Sequence, residues 1–167
     1  MTKNRGQRIS AFDHFRDSSK EQFTSLSNSD PGSQRLDNLY SLCICPGGRY
    51  GGLSKTIVEV FYGNRPIDSE TSINQKAEIT EKLVVAHGAA LKYFRNDNGH
   101  VICNLYPAAS ENLRPIEDEI LFDFVRDPNI LRRRVRRHWR YLVAYMEATC
   151  IDGDPCIVQR ARVFYLR

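Results

Sequence analysis

Hydrophobic positions along the 167 residues fall into two regimes. Through residues 1–54 they are sparse and follow no steady period, and they are separated by polar runs such as Ser25-Leu26-Ser27-Asn28-Ser29-Asp30-Pro31-Gly32-Ser33. Such a composition offers little apolar surface to offset chain entropy, so it predicts a flexible N-terminal arm with short helices around 11–15 and 36–42. Gly47, Gly48, Gly51 and Gly52 mark a loop at the arm's end. Residues 55–167 carry denser, periodic apolar positions and predict a single α+β domain.

Within that domain the period switches repeatedly. Residues 57–62 are β-branched and aromatic and run into Gly63-Asn64-Arg65-Pro66, a strand followed by a turn. Residues 68–87 place Ile73, Ala77, Thr80, Leu83, Val84 and His87 along one helical face, with Asp68 or Ser69 as N-cap and Gly88 as stop, and predict a helix. Apolar segments 91–94 and 101–106 flank Asn96-Asp97-Asn98-Gly99, residues that tolerate the positive φ of a hairpin turn. Residues 120–125 alternate, with Ile120, Phe122 and Phe124 forming a strongly apolar face opposite Leu121, Asp123 and Val125. Asp127-Pro128 opens a helix by N-cap and N1 proline, and no breaker follows until Gly153. A last strand is predicted over 156–166. The order β-α-β-β-β-α-β predicts a mainly antiparallel sheet of about five strands with two helices packed on one face.

The helix after Pro128 raises a question of charge. At 100° per residue, Leu131, Val135, His138, Trp139, Leu142, Tyr145, Met146 and Thr149 share one side, which is the core face. Arg132, Arg133, Arg136, Arg137 and Arg140 fall opposite, with Arg134 at the flank. Like charges at i,i+4 repel by a few tenths of a kcal/mol each, and the N-terminal end of a helix disfavours cations. Something else must therefore offset the arrangement: acidic residues such as Glu111, Glu117, Asp118 and Glu119, or an external anion. Guanidinium groups suit bidentate pairing with carboxylate or phosphate. The readings are a solvated basic face, contact with a nucleic-acid backbone, and docking on an acidic protein surface.

Composition narrows the field further. A formal charge of +4 is too mild by itself to imply nucleic acid, so the clustering matters more than the total. No stretch nears the roughly 20 apolar residues of a membrane span and residues 1–10 lack a signal-peptide core, which predicts a cytoplasmic protein with no membrane partner. Five cysteines at irregular spacing predict free thiols. Cys43 and Cys45, with Cys150 and Cys156, do not have the spacing of structural zinc knuckles, so no metal is expected.

Catalytic constellations are sparse. Phosphate-loop, dinucleotide-binding, zinc-protease and nucleophile-elbow motifs are absent, and no cofactor is expected. Cys103 reads as a buried thiol and His138 as a hydrogen-bonded core histidine. Tyr62, Tyr93, Tyr106, Phe94 and Phe164 include rings able to stack on bases from an open sheet, though most should pack beneath the helices. The sequence thus points to a non-enzymatic binding or accessory module whose site is Arg132, Arg133, Arg136, Arg137 and Arg140. Nucleic-acid backbone is the favoured partner and an acidic protein surface the alternative. A small enzyme with an unrecognised site, and self-association through a sheet edge, are further alternatives.

Overall fold

The structure, a computed structural model, describes residues 2–49, 52–73, 79–110 and 120–149. Its helices are α1 (Thr2–Ser29), α2 (Pro31–Asp37) and α3 (Leu131–Thr149). Its strands are β1 (Leu42–Pro46), β2 (Ile57–Tyr62), β3 (Arg65–Ile73), β4 (Ile79–His87), β5 (Ala90–Arg95), β6 (Val101–Tyr106), β7 (Ala109–Ser110) and β8 (Ile120–Val125). The fold is α+β, built on an antiparallel five-stranded sheet of order β1-β2-β5-β6-β8. A smaller antiparallel sheet has the order β3-β4-β7.

Alternation decides which side of the large sheet is covered. Val58, Val60, Tyr62, Leu91, Tyr93, Val101, Cys103 and Val125 point to one side and are buried. Rings from all three helical segments close over them. Phe15 of α1 meets Tyr93 edge-on and Phe23 packs tilted against it, Trp139 of α3 meets Tyr62, and Tyr40, just after α2, packs edge-on against Tyr62. α2 is capped by the Asp30 carboxylate, which accepts from the Gly32 N–H, and an Arg35–Glu147 ion pair ties it to α3.

Several expectations are met. The strands over 57–62, 101–106 and 120–125, the hairpin turning at Gly99 (φ +79°), and the helix behind Asp127-Pro128 all form. Three others are corrected. Residues 68–73 and 79–87 are not helical but belong to the antiparallel strands β3 and β4, with Ser69 opposite Leu83 and Thr71 opposite Glu81. Thr71, Ile73, Ile79, Thr80, Val84 and Val85 are β-branched and favour the pleat over the helix. Gly88 stops no helix. It lets β4 pass into β5 so close to β2 that a Cβ there would lie 2.3 Å from the Tyr62 carbonyl oxygen.

The second correction concerns the N-terminal arm. Its residues form α1, α2 and β1, and Phe12, Phe15, Phe23, Leu36 and Tyr40 belong to the same buried cluster as the strands. Composition misleads here because three phenylalanines on one helical face bury enough surface, each contributing about 1.5–3 kcal/mol, to dock an otherwise polar helix. Third, β8 does not keep the unbroken alternation read from sequence, because a register shift between Cys103 and Asn104 sets both Ile120 and Asp123 opposite buried residues, Leu105 and Cys103. Asp123 and Val125 lie on the covered side, and Phe124 is 44% exposed on the other. The predicted strand 156–166, Phe164 and the acidic residues Glu111, Glu117, Asp118 and Glu119 lie outside the described residues. No helix among the described residues is long and apolar enough to cross a membrane.

Candidate anion-binding face of the third helix

The first turn of α3 is set by Asp127, whose carboxylate accepts from the Asn129 N–H at 3.1 Å, and by Pro128 in a short 3₁₀ turn ahead of Leu131. Leu131, Val135, His138, Trp139, Leu142 and Met146 are buried against the sheet and α1, as the periodicity requires. That packing fixes the rotation of the helix, and the opposite arc follows from it. Arg132, Arg133, Arg136, Arg137 and Arg140 are exposed, and Arg134 is half-buried.

The six arginines do not form a uniform face. Asp123, on the covered side of β8 and 10% exposed, accepts from Arg134 Nη1 through both carboxylate oxygens at 2.7 and 2.9 Å. Its Oδ2 also accepts from Arg137 Nη2 at 3.3 Å. Two of the six therefore share one carboxylate within the domain, an internal partner other than the acidic residues named from sequence, and Arg137, one of the five site residues read from sequence, is a shared contact. Arg132, Arg133, Arg136 and Arg140 make no ion pair among the described residues. At 100° per residue these four span an arc of about 100°, and Arg132, Arg136 and Arg140 follow one another about 6 Å apart along the axis.

That row edges a groove between α1 and α3. A cavity of about 720 Å³ is lined by Phe15, Ser18 and Gln22 of α1 and by Arg132, Val135 and Arg136 of α3, among others. A second cavity of about 380 Å³ shares Leu26 and Arg136 with it and adds Trp139 and Arg140. Arginines thus form one lip, and across from them stand the Ser18 and Ser25 hydroxyls, the Gln22 amide and the Glu21 carboxylate, with Asp30 lining the second cavity.

Behind the arginines lies a buried polar chain. His138 Nε2 sits 2.8 Å from Asp123 Oδ2 and His138 Nδ1 sits 3.1 Å from the Tyr93 hydroxyl. The carboxylate can only accept, so Nε2 carries the proton and Nδ1 accepts from the Tyr93 O–H. Cys103 Sγ lies 3.8 Å from Nδ1. Burial pushes the Asp123 carboxyl up, but hydrogen bonds from His138 and Arg134, together with their charges, outweigh it and hold the group below its ordinary value. Burial dominates at His138 and lowers its pKa despite Asp123. The Cys103 thiol and Tyr93 phenol are driven well up, chiefly by burial.

Cysteine, histidine and aspartate in this sequence of contacts have the outline of a nucleophile, base and orienting acid. The chemistry is closed to them. Cys103, Tyr93 and His138 have no exposed surface, and a thiol whose pKa is raised by burial stays protonated and inert. The chain instead orders the interior and holds the carboxylate that Arg134 and Arg137 share. Cys43 and Cys45 lie on β1 with partly exposed thiols, while Cys150 and Cys156 fall outside the described residues.

Comparison with protein-family models, with curated proteins and with solved structures finds no match in any of the three.

Sequence reasoning missed Asp123 as the anchor of the arginine face, although a signal was present. A carboxylate alternating with Leu121 and Val125 on one strand face needs a cationic partner if that face is covered. It also missed the groove, because the residues of α1 were expected to form a flexible arm with only a short helix around 11–15.

Proposed function

We propose that this protein is a non-enzymatic binding module that holds a nucleic-acid backbone against Arg132, Arg133, Arg136 and Arg140. The observation that carries the reading is the pairing pattern on α3. The domain supplies Asp123 for Arg134 and Arg137, yet four guanidinium groups on the same rigidly packed helix have no anion among the described residues. Arginine matches phosphate with two parallel N–H donors, and backbone contact requires dense positive charge without base-reading side chains. Arg137, partly spent on Asp123, adds a weaker contact. The module acts in the cytoplasm, where free thiols such as Cys43, Cys45 and Cys103 persist.

The apolar part of the α1–α3 groove, formed by Phe15, Leu26 and Val135, favours a second reading in which an acidic amphipathic segment of another protein lies along the same arginine lip. One experiment separates the two. Fluorescein-labelled single-stranded and duplex oligonucleotides are titrated by anisotropy with the wild-type chain and with the R132E/R133E/R136E/R140E variant. The expected result is loss of at least 100-fold in affinity with an unchanged urea midpoint, because the four side chains are exposed. Retention of affinity by the variant refutes the nucleic-acid reading, and absence of oligonucleotide binding by the wild type transfers the face to an acidic protein.

A further inference from the structure

The three helices of the described residues pack on one side of the five-stranded sheet, and among those residues the other side presents its own ordered pattern. The register places Ile57 opposite Phe94, Phe94 opposite Ile102, and Ile102 opposite Phe124, so these four side chains form one row across β2, β5, β6 and β8. Phe94 is 41% exposed and Phe124 44%. At the strand spacing of a sheet the two rings stand about 10 Å apart, with Ile102 between them. The next row, Glu59, Lys92 and Asn104, is polar, and the one after it carries Phe61 and Tyr106.

Cations accompany these rings. The Arg49 guanidinium lies 4.0 Å from the Phe61 ring centroid, and Lys92 Nζ lies 5.8 Å from that of Tyr106. His100 meets Phe124 edge-on at 5.5 Å, and Arg126, exposed at the end of β8, lines a small cavity with His100. Glu59, the carboxylate of the polar row, is already engaged by Arg49 at 3.2 Å. A self-complementary dimer is a poor occupant. An aromatic side chain offers 150–250 Å² in full, so two rings about two-fifths exposed supply under roughly 200 Å² of the about 800 Å² per partner that a stable interface buries, and a second copy would have to bury the polar row with Lys92 for the rest.

We propose that Phe94 and Phe124 form a stacking platform for unpaired nucleobases, so that the nucleic acid bound by this protein is single-stranded. The inference takes nucleic acid from the reading of α3 but rests on different residues. Two half-exposed rings on an open sheet face suit unpaired bases, with Lys92 in the adjacent row and Arg126 beyond the end of β8 within reach of the backbone, whereas a duplex keeps its bases stacked on one another and out of reach. The two surfaces meet over β8, the last strand of the sheet among the described residues, where Asp123 reaches under the sheet to Arg134 and Arg137 while the adjacent Phe124 faces outward. A single strand passing over β8 engages both.

The test compares a single-stranded RNA oligonucleotide with its duplex, using wild type, F94A/F124A and F94W/F124W. The expected result is preference for the single strand, with about 100-fold weaker binding by F94A/F124A at roughly tenfold per ring. F94W/F124W should retain wild-type affinity, and the dependence on salt should be unchanged, because no phosphate contact is removed. Equal affinity for duplex and single strand, or binding indifferent to F94A/F124A, overturns the platform while leaving the α3 reading to its own arginine variants. A wild-type dimer that F94A/F124A converts to monomer in light scattering assigns the row to a second copy and also overturns it. A chain that binds neither form of RNA sinks both proposals.

Discussion

Replacing Asp123 by alanine tests how the interior decides which arginines remain free. The carboxylate accepts from Arg134 twice, from Arg137 once and from His138 once, and it is 10% exposed. Alanine leaves the buried His138 Nε2–H without its acceptor, which costs about 1–3 kcal/mol. It also strips Arg134, about one-third exposed, of the carboxylate that its Nη1 shares between two oxygens, which adds about 1 kcal/mol after solvent screening. Arg137 is 54% exposed and its longer contact adds little. The expected loss is about 2–4 kcal/mol, or on the order of 10 °C in Tm for a chain of this length. Asp123→Asn should fall between alanine and wild type, because His138 can exchange tautomers, accept from the new amide through Nε2 and donate to Tyr93 through Nδ1. Urea unfolding followed by the fluorescence of Trp139, the sole tryptophan and a core residue, reads both variants. An Asp123→Ala variant within about 0.5 kcal/mol of wild type would refute the argument that this carboxylate organises the covered side of β8 and α3.

Two further outcomes follow from the packing. Phe23→Ala, at a fully buried ring against Tyr93 and Trp139, should cost about 3–5 kcal/mol, and deletion of residues 1–29 should abolish cooperative unfolding rather than leave Tm untouched. Between neutral pH and about pH 5 stability should fall with acid. The unfolded chain takes up a proton near pH 6.5 that the folded His138 ring resists, so the loss begins near 6.5 and continues toward the ring's lowered folded pKa, at no more than about 1.4 kcal/mol per pH unit. His138→Gln should flatten that part of the pH profile.

How far the sequence disclosed this molecule depended on whether a segment's period was carried by apolar side chains. β2, β6 and α3 were legible because valine, leucine and aromatic residues mark most of their buried positions, Glu59, Cys103, His138 and Met146 being the exceptions. α1 was not, because Ser19 and Ser27 sit within its buried stripe beside Phe12, Phe15 and Phe23. Ser19 donates to the Arg16 carbonyl at 2.6 Å and Ser27 bonds to Ser33 and Asp37, so each is buried with its hydroxyl satisfied. A hydropathy pattern scores such a face as polar. β3 and β4 were misread because six apolar positions over 20 residues matched a helical face, and β-branching was the better guide. On the candidate site, the arginine cluster and the core face of α3 were legible within one helix. The division of the arginines into paired and unpaired groups was not, because Asp123 reaches Arg134 and Arg137 from another element, 11 and 14 residues earlier.

The most direct measurement of the central claim is the dependence of oligonucleotide affinity on salt. If four guanidinium groups displace counterions from phosphates, log K against log salt should fall with a slope of about −3 for a single strand, and each Arg→Gln substitution among Arg132, Arg133, Arg136 and Arg140 should reduce its magnitude by about 0.7. Arg134→Gln, whose partner is Asp123, should leave the slope unchanged. A slope near zero, or one equally sensitive to Arg134, would contradict the assignment of this face to a nucleic-acid backbone.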